Sequence, residues 1–549
     1  MRFLIIFLLA FFAFGLNEAP EDSSMIEKKL EETNKFNQTP AQIENLKVNP
    51  QKSQVKLKNI TFLLRNVQVI GNTIFPKEVI IKIIKPFVGK KVTNKDLKII
   101  VSKITDLYHK KGYLTSKCIL PPQKIKNGTV LFKILEDKLG KVIIVGDKSL
   151  DYNKNIFMRY LYDLEGKVIN IKELNYRLKL LSTLPVTKIT PSLKKTKKGY
   201  SLLILKIKPS KQNISLSLDN SGSKYTGIYR LNLSGNVNNI RGISDSLRLN
   251  FLTTTNPKYL GAFSGSYITP FSNDGSKLNF GYSTMYYQLN PDKVGTDDVI
   301  YEGQSQVLSI FYLKPFYLKK SNLNFKLGIE KKDVVSQTIK NDDGSILVDG
   351  EDKTFVGVIG LDSSFVDKKL KTIAINKISL TLKHAFEGMF GSMTKEDIKR
   401  KENDDTFPIT GPIKYGDYLD PSFTKLYYTL SREQLLPKKI SLKLNLNGDY
   451  TKKRIPQSYE YGGHDWGFAY SIGFKKAINN YNTLLSFSQS IVYDYNEKGD
   501  LSKDTNKIGA SFSINKTFNN LYISLSYSSS FATWDNAINK LRFTLKYTW

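Results

Sequence analysis

The chain has 549 residues, more than one ordinary domain holds, and 82 Lys and Arg against 50 Asp and Glu leave a formal net charge of +32. The single cysteine, Cys118, excludes a disulfide framework and a thiolate metal cluster, and His109, His384 and His464 are too few and too scattered to suggest a metal centre. The lysines are dispersed and gathered on no single helix or face, so the charge reads as a coding bias and not as the footprint of a nucleic-acid or other polyanion partner.

Met1-Arg2, the apolar run Phe3 to Leu16 and the small residues Ala13, Gly15 and Ala19 form the pattern of a secretory signal peptide over 1–19. The run is too short to span a membrane, so the mature protein is expected to be exported. Residues 20–59 are polar and carry Pro20, Pro40 and Pro50. Ser24 to Phe36 suits one short helix, with Asp22 or Ser23 as its cap, and the remainder reads as a linker.

Residues 60–208 repeat internally. Leu63-Leu-Arg-Asn-Val-Gln-Val-Ile70 before Gly71-Asn72 corresponds to Lys138-Leu-Gly-Lys-Val-Ile-Ile-Val145 before Gly146-Asp147. Two helical segments follow in each copy, the second with Leu97, Ile100, Val101, Ile104 and Tyr108, or Leu174, Leu178 and Leu181, at helical spacing. Strands are expected at 113–120 and 129–136, and at 186–194 and 200–207. The order β-α-α-β-β, over 60–136 and again over 137–208, resembles polypeptide-transport-associated (POTRA) domains. That resemblance implies a periplasmic receptor for unfolded chains, bound by strand addition at a sheet edge.

From 209 to 549 apolar and polar residues alternate with a period of two. Sixteen strands are expected: 212–220, 226–236, 244–255, 258–269, 276–288, 301–313, 322–333, 354–366, 371–386, 421–433, 438–450, 467–476, 481–495, 505–516, 520–530 and 538–549. Connections after even-numbered strands are short, as in Leu435-Leu-Pro-Lys438 and Ala477-Ile-Asn-Asn480. Those after odd-numbered strands are mostly longer, at 289–300, 334–353, 387–420, 451–466 and 496–504. Short turns on one side and long loops on the other point to a transmembrane β-barrel in a bacterial outer membrane, with the repeats in the periplasm.

Leu216 to Arg230, with Asp219, Asn220, Gly222, Gly227 and Arg230, and then Asp245, resembles the first hairpin of the two-partner secretion transporters, the haemolysin and filamentous-haemagglutinin secretion proteins. The resemblance implies a pore that secretes and activates a partner exoprotein, a large β-helical adhesin or haemolysin, without ATP. It also implies that Arg454 to Phe468 is a sixth outer loop folded into the lumen. Gly462, Gly463, Gly467 and Phe468 match that family's motif, while Trp466 stands where its arginine would be. The family's acidic partner for that arginine is matched by Asp494. Without the arginine, Arg454, a lumen lysine, protonated His464 or solvent are all candidates to face Asp494, and Trp466 could pack the loop by stacking. The helix of 21–36 is a further candidate occupant of the lumen.

No phosphate-binding glycine loop, Ser-His-Asp set or paired carboxylates emerge, so neither an enzyme nor a cofactor is expected. Two other functions share the fold class: an assembly factor that inserts other barrels, and a porin-like channel. In the last stretch, Leu541, Phe543, Leu545, Tyr547 and Trp549 alternate with Lys540, Arg542, Thr544, Lys546 and Thr548. As strand sixteen it would turn the aromatic face to lipid and close the barrel on strand one. Phe543, Tyr547 and Trp549 then resemble the terminal signal read by the barrel assembly machinery, which joins outer-membrane lipid and the exoprotein as expected partners.

Overall fold

The computed structural model describes residues 42–43, 46, 61–146, 154–184, 186–196, 199–209 and 212–549, short of 296–297, 319–320, 369, 371, 399–408, 412, 414–417, 461–463, 479–480, 497–498 and 532–536. The signal peptide expected at 1–19 and the helix expected at 21–36 lie outside these residues.

In the first repeat the long helix Asn94–Lys111 forms because its apolar residues recur on one face. Leu97, Ile100, Val101, Ile104 and Tyr108 are all buried, at about 1.5–3 kcal/mol for a large side chain. Thr93 and Asp96 form a capping box at its start, and Gly112 ends it in the left-handed region at φ 105°. The helix covers a three-stranded sheet in the order Asn66–Ile70, Thr129–Leu135, Lys117–Ile119. In the second repeat Ile171–Leu181 plays the same part, with Leu174, Leu178 and Leu181 buried against Val186–Lys195, Tyr200–Pro209 and Lys138–Gly146. Asn170 caps that helix, and the Ile171 N–H donates to Gly112 O at 2.9 Å. The two helices thus meet end to end, carboxyl end of one on amino end of the other, which aligns their dipoles.

Among the described residues sixteen strands close the barrel. They are β1 (Asn213–Asp219), β2 (Arg230–Asn238), β3 (Ser246–Thr254), β4 (Leu260–Pro270), β5 (Lys277–Gln288), β6 (Val299–Tyr317), β7 (Ser321–Lys340), β8 (Ile346–Asp367), β9 (Ala374–Ala385), β10 (Thr424–Leu436), β11 (Ile440–Thr451), β12 (Trp466–Ile478), β13 (Tyr481–Tyr495), β14 (Leu501–Phe518), β15 (Leu521–Phe531) and β16 (Ala537–Thr548). Each pairs antiparallel with the next, and β1 closes on β16 from Ser215 opposite Thr548 to Asp219 opposite Thr544. Apolar side chains such as Leu216, Phe251, Leu308, Ile359, Ile472 and Leu545 point outward and are exposed, as a lipid-facing band requires.

One expected loop is a strand pair. Residues 334–353 continue β7 and β8 as a hairpin that turns only at 341–345. The charges that give this stretch the look of a loop face each other across the ribbon, Asp333 opposite Lys353. The β-branched Val334, Val335, Ile339, Ile346 and Val348 supply its strand preference. The connection from β9 to β10 also carries a short strand, Ile409–Gly411, parallel to β8.

The second repeat is seated on the barrel. Lys277 Nζ donates to Thr183 O, and Leu180 and Pro315 flank Gly275 in the β4–β5 turn. Tyr317 and Ile243 pack on the repeat's apolar core. The repeats and the short turns therefore share one end of the barrel.

Candidate functional site

The first hairpin is held by its polar residues. Asp219 Oδ1 accepts from Ser221 N at 2.8 Å, which makes the turn. Asn220 reaches across the closing seam. Its Nδ2 donates to Leu541 O and its Oδ1 accepts from Phe543 N, both at 2.8 Å, so an amide side chain continues the β1–β16 ladder. Gly222 is required by space, since a Cβ there would lie 1.9 Å from Gly227 O. Gly227 has φ 115°, and a Cβ there would meet Thr254 at 2.7 Å. Arg230 is buried on the lumen face, the parity of Asn232 and Ser234. Asp245 lies apart from these, in the turn before β3. It accepts from Arg241 N at 3.2 Å, Arg241 Nε at 3.1 Å and Tyr267 Oη at 2.5 Å. Burial raises its pKa, but the hydrogen bonds from Tyr267 and Arg241 outweigh burial and hold it below the ordinary value.

The β11–β12 connection folds against one wall of the lumen. Odd residues of β7, such as Leu327 and Ile329, face out, so Glu330 and Lys332 face in. On β8 Asp352 and Thr354 face in by the same parity. Tyr459 Oη donates to Glu330 Oε1 at 3.0 Å, and Thr354 Oγ1 lies 3.4 Å from the same hydroxyl. Ser458 N donates to Asp352 Oδ2 at 3.1 Å, and Lys332 Nζ donates to Ser458 O. Lys383 pairs with Glu330 at 2.9 Å.

The base of the loop is held by Lys425 of β10, which has no exposed side-chain surface. Its Nζ donates to Tyr459 O at 2.7 Å and Asp465 O at 2.9 Å, and pairs with Asp449 at 3.1 Å. Asp465, itself buried, accepts from Ile455 N at 3.0 Å and Tyr495 N at 2.8 Å. Ile455 and Tyr459 join Phe423, Val356, Val358, Ala385 and Phe311 in an apolar cluster. This cluster of fixed charges and aromatic packing is a positioning device; a protein can hold such buried charges only when each is paired and hydrogen-bonded.

Asp494 on β13 faces His464, whose Nδ1 lies 2.7 Å from Oδ2, while Asp465 N donates to Oδ1 at 2.9 Å. His464, one of the candidates, meets it in an ion-pair geometry. The Arg454 carbonyl accepts from Asp420 N at 3.0 Å. Trp466 and Phe468 are the first outward-facing residues of β12, on the parity of Tyr470, Ile472 and Phe474. Trp466 stacks on Tyr493 at 4.1 Å and meets Tyr450 edge-on at 5.2 Å. The stacking is real, but it lies on the outer face and not in the lumen, because strand parity carries Trp466 away from the loop. Gly467 faces in, its N–H on Asp449 Oδ1 at 3.1 Å. Gly462 and Gly463 lie outside the described residues. Phe543, Tyr547 and Trp549 share the outward face of the seam, with Tyr547 and Trp549 in edge contact at 4.8 Å, and Trp549 N donates to Ile214 O at 2.9 Å.

Sequence reading missed Lys425, Asp449, Glu330 and Tyr459. The available signal was parity: each of the first three is an ionisable side chain on the inward face of a strand, where it must find a partner.

A closed sixteen-stranded barrel with two α+β repeats at the short-turn end and a loop folded into its lumen defines an outer-membrane protein transporter. Two family models match the chain, "POTRA domain, ShlB-type" over 62–137 and "Haemolysin secretion/activation protein ShlB/FhaC/HecB" over 199–336. The heme/hemopexin transporter protein HuxB of Haemophilus influenzae is 27% identical over 423 residues, which cover 74% of this chain and 68% of HuxB. The outer membrane transporter CdiB of Escherichia coli is 26% identical over 190 residues, 34% of this chain and 31% of that protein. In fold, the CdiB structure from Escherichia coli matches with a TM-score of 0.70 over 98% of this chain and all of that one, at 15% identity. CdiB from Acinetobacter baumannii matches at 0.64 over 96% of this chain and 98% of that one, at 18% identity. In both matched segments the chain is similar to the haemolysin secretion/activation family of two-partner secretion transporters. It is an outer-membrane secretion pore, with its repeats in the periplasm.

Proposed function

We propose that residues 60–136 and 137–208 capture an unfolded exoprotein, of the large β-helical adhesin or haemolysin type, and that the 209–549 barrel passes it outward without ATP. The observation that carries this reading is the seating of the second repeat on the periplasmic mouth through Thr183, Lys277, Leu180 and Pro315. A chain held on a repeat edge is thereby held at the pore entrance. In the first repeat Asn66–Ile70 pairs, among the described residues, with Thr129–Leu135 alone, which supports strand addition on its other side.

The lumen wall opposite the loop supports conduction. Ser217, Asn232, Ser234, Ser486, Ser511 and Ser526 fall on its inward parity, beside Lys540, Arg542 and Lys546, and offer hydrogen bonds along the path. With no nucleotide in the periplasm, folding of the exoprotein outside supplies direction. At rest the lumen holds the loop of Ile455 and Tyr459, and the helix expected from the sequence at 21–36 is a further candidate occupant. Leu252, Leu260, Ala262 and Met285, an apolar patch on the inward faces of β3, β4 and β5, suit the apolar side of such a helix. Phe543, Tyr547 and Trp549 serve as the mark read by the barrel assembly machinery. No catalytic step enters this account.

Deleting residues 60–208 tests it. A secretion pore keeps its conductance and stops exporting its partner. A porin-like channel would lose nothing, and a factor that inserts other barrels would deplete the membrane of those barrels.

A further inference from the structure

Two lysines stand among the lipid-facing side chains of one wall of the barrel. On β12 Tyr470, Ile472 and Phe474 face out and are exposed, so Lys476, exposed and on the same parity, faces out too. On β14 Ile508, Phe512 and Phe518 set the same direction for Lys516. Each lysine lies two residues before the end of its strand, at Ile478 or Phe518, and so at the short-turn, periplasmic end. A lysine on the lipid face is costly at mid-membrane and tolerated near the interface, which sets both ammoniums at the level of the periplasmic headgroups. Tyr481, on β13, stands between them. The Lys516 ammonium lies 4.2 Å from the centre of the Tyr481 ring and 4.7 Å from that of Phe518, so two aromatic faces hold it against the wall. Lys476 is opposite Thr483, whose hydroxyl donates to Lys476 O at 2.8 Å.

The counter-charge sets this pair apart. Two other outward-facing cations near the same end each hold a carboxylate, Lys314 with Asp274 at 2.5 Å and Arg432 with Asp367 at 2.7 Å. Among the described residues Lys476 and Lys516 meet no carboxylate. Residues 472–478, 481–485, 512–518, 521–525 and 543–549, which build the periplasmic half of this wall, contain neither Asp nor Glu. We propose that Lys476 and Lys516 bind the phosphodiester headgroup of an anionic phospholipid in the periplasmic leaflet, with Tyr481 and Thr483 as the floor of the site. Neighbouring strands lie about 4.8 Å apart, so β12 and β14 are about 10 Å apart. Two flexible lysine stems converge on one headgroup across that span, or take one phosphate each of a diphospholipid. The exposed Phe474, Leu485 and Phe512 line the path of the acyl chains towards mid-membrane. A zwitterionic lipid brings its own ammonium to the same place and loses most of the attraction. The site faces lipid and not the lumen, so it is independent of the exported protein and goes beyond the secretion reading.

The test uses the full chain in a nonionic detergent, with tetraoleoyl cardiolipin as the probe and dioleoyl phosphatidylcholine as the zwitterionic control, read by native mass spectrometry. The unaltered chain should retain cardiolipin in preference to phosphatidylcholine; equal retention would overturn the proposal. Lys476→Gln with Lys516→Gln should weaken cardiolipin binding about thirtyfold, the equivalent of about 2 kcal/mol for two lysines at a membrane surface. Lys475→Gln with Lys507→Gln removes the same charge from the inward parity of the same two strands and should leave binding unchanged. Equal loss in the two double variants would reduce the effect to net charge and overturn the site. Bound lipid should also raise the temperature at which the folded band of the unaltered chain is lost on heating. As large a rise with phosphatidylcholine as with cardiolipin would contradict the proposal. The two lipid comparisons on the unaltered chain hold whether or not the variants fold.

Discussion

Lys425→Met strikes the hold on the lumenal loop at one atom. The ammonium donates to the carbonyls of Tyr459 and Asp465 and pairs with Asp449, all within 3.1 Å and with no exposed side-chain surface. Removing one partner of a buried pair costs about 3–5 kcal/mol. Asp449 keeps Gly467 N, so the lower end of that range applies to the carboxylate, while both loop carbonyls lose their charged donor. At about 1.4 kcal/mol per factor of ten, 3 kcal/mol multiplies the population of the displaced loop roughly a hundredfold. In planar bilayers the variant should show frequent large-conductance openings that are rare in the unaltered pore. Adding Asp449→Asn should restore thermal stability more than closure, since it removes the bare carboxylate but leaves the two carbonyls without their donor. Openings as rare as in the unaltered protein, with Lys425→Met folded, would refute this account of the loop.

Asn220→Ala removes two bonds across the seam, worth about 1–3 kcal/mol together, and should lower the temperature at which the folded band disappears on heat-modifiability gels. Asp245 is held below its ordinary pKa, so its stabilisation is complete above the unfolded value of about 3.9 and is lost as pH falls through the lower folded value. Melting temperature should therefore fall more steeply below about pH 4 in the unaltered chain than in Asp245→Asn. Asp494→Asn weakens the contact to His464 at 2.7 Å and should change conductance or export; an unchanged pore on both measures counts against a role for that pair. Asp137, buried where it accepts from Ser201 Oγ at 2.7 Å, has its pKa raised by burial, so Asp137→Asn should not reduce, and should slightly raise, the melting temperature at pH 7.

The barrel was legible because lipid enforces its rule on every strand. β5, expected at 276–288, runs from Lys277 to Gln288, and β13 matches 481–495 residue for residue. The β7–β8 hairpin was not, since beyond the bilayer nothing demands an apolar face, and charges that pair along each strand, Lys331 with Asp333 and Glu351 with Lys353, make strands look like loop. The hairpin residues Asn220 and Gly222 stood out in sequence, but what Asn220 does depends on Leu541 and Phe543, more than three hundred residues away. Trp466 shows the opposite limit. Its position in the motif suggested the lumen, yet one step of strand parity decides the face, and no motif reports that step. Parity marks Lys425 and Asp449 as inward charges, but the loop carbonyls that Lys425 holds are backbone and leave no mark on composition.

The central claim is that the repeats hand an unfolded partner to the pore and that no nucleotide drives it through. The direct measurement places the full chain in liposomes with the repeats outside, adds an unfolded β-helical secretion domain without ATP, and follows its protection from protease. The account predicts protected, folded domain inside only when residues 60–208 are present. Equal protection without those residues, or none until ATP is supplied, would contradict it.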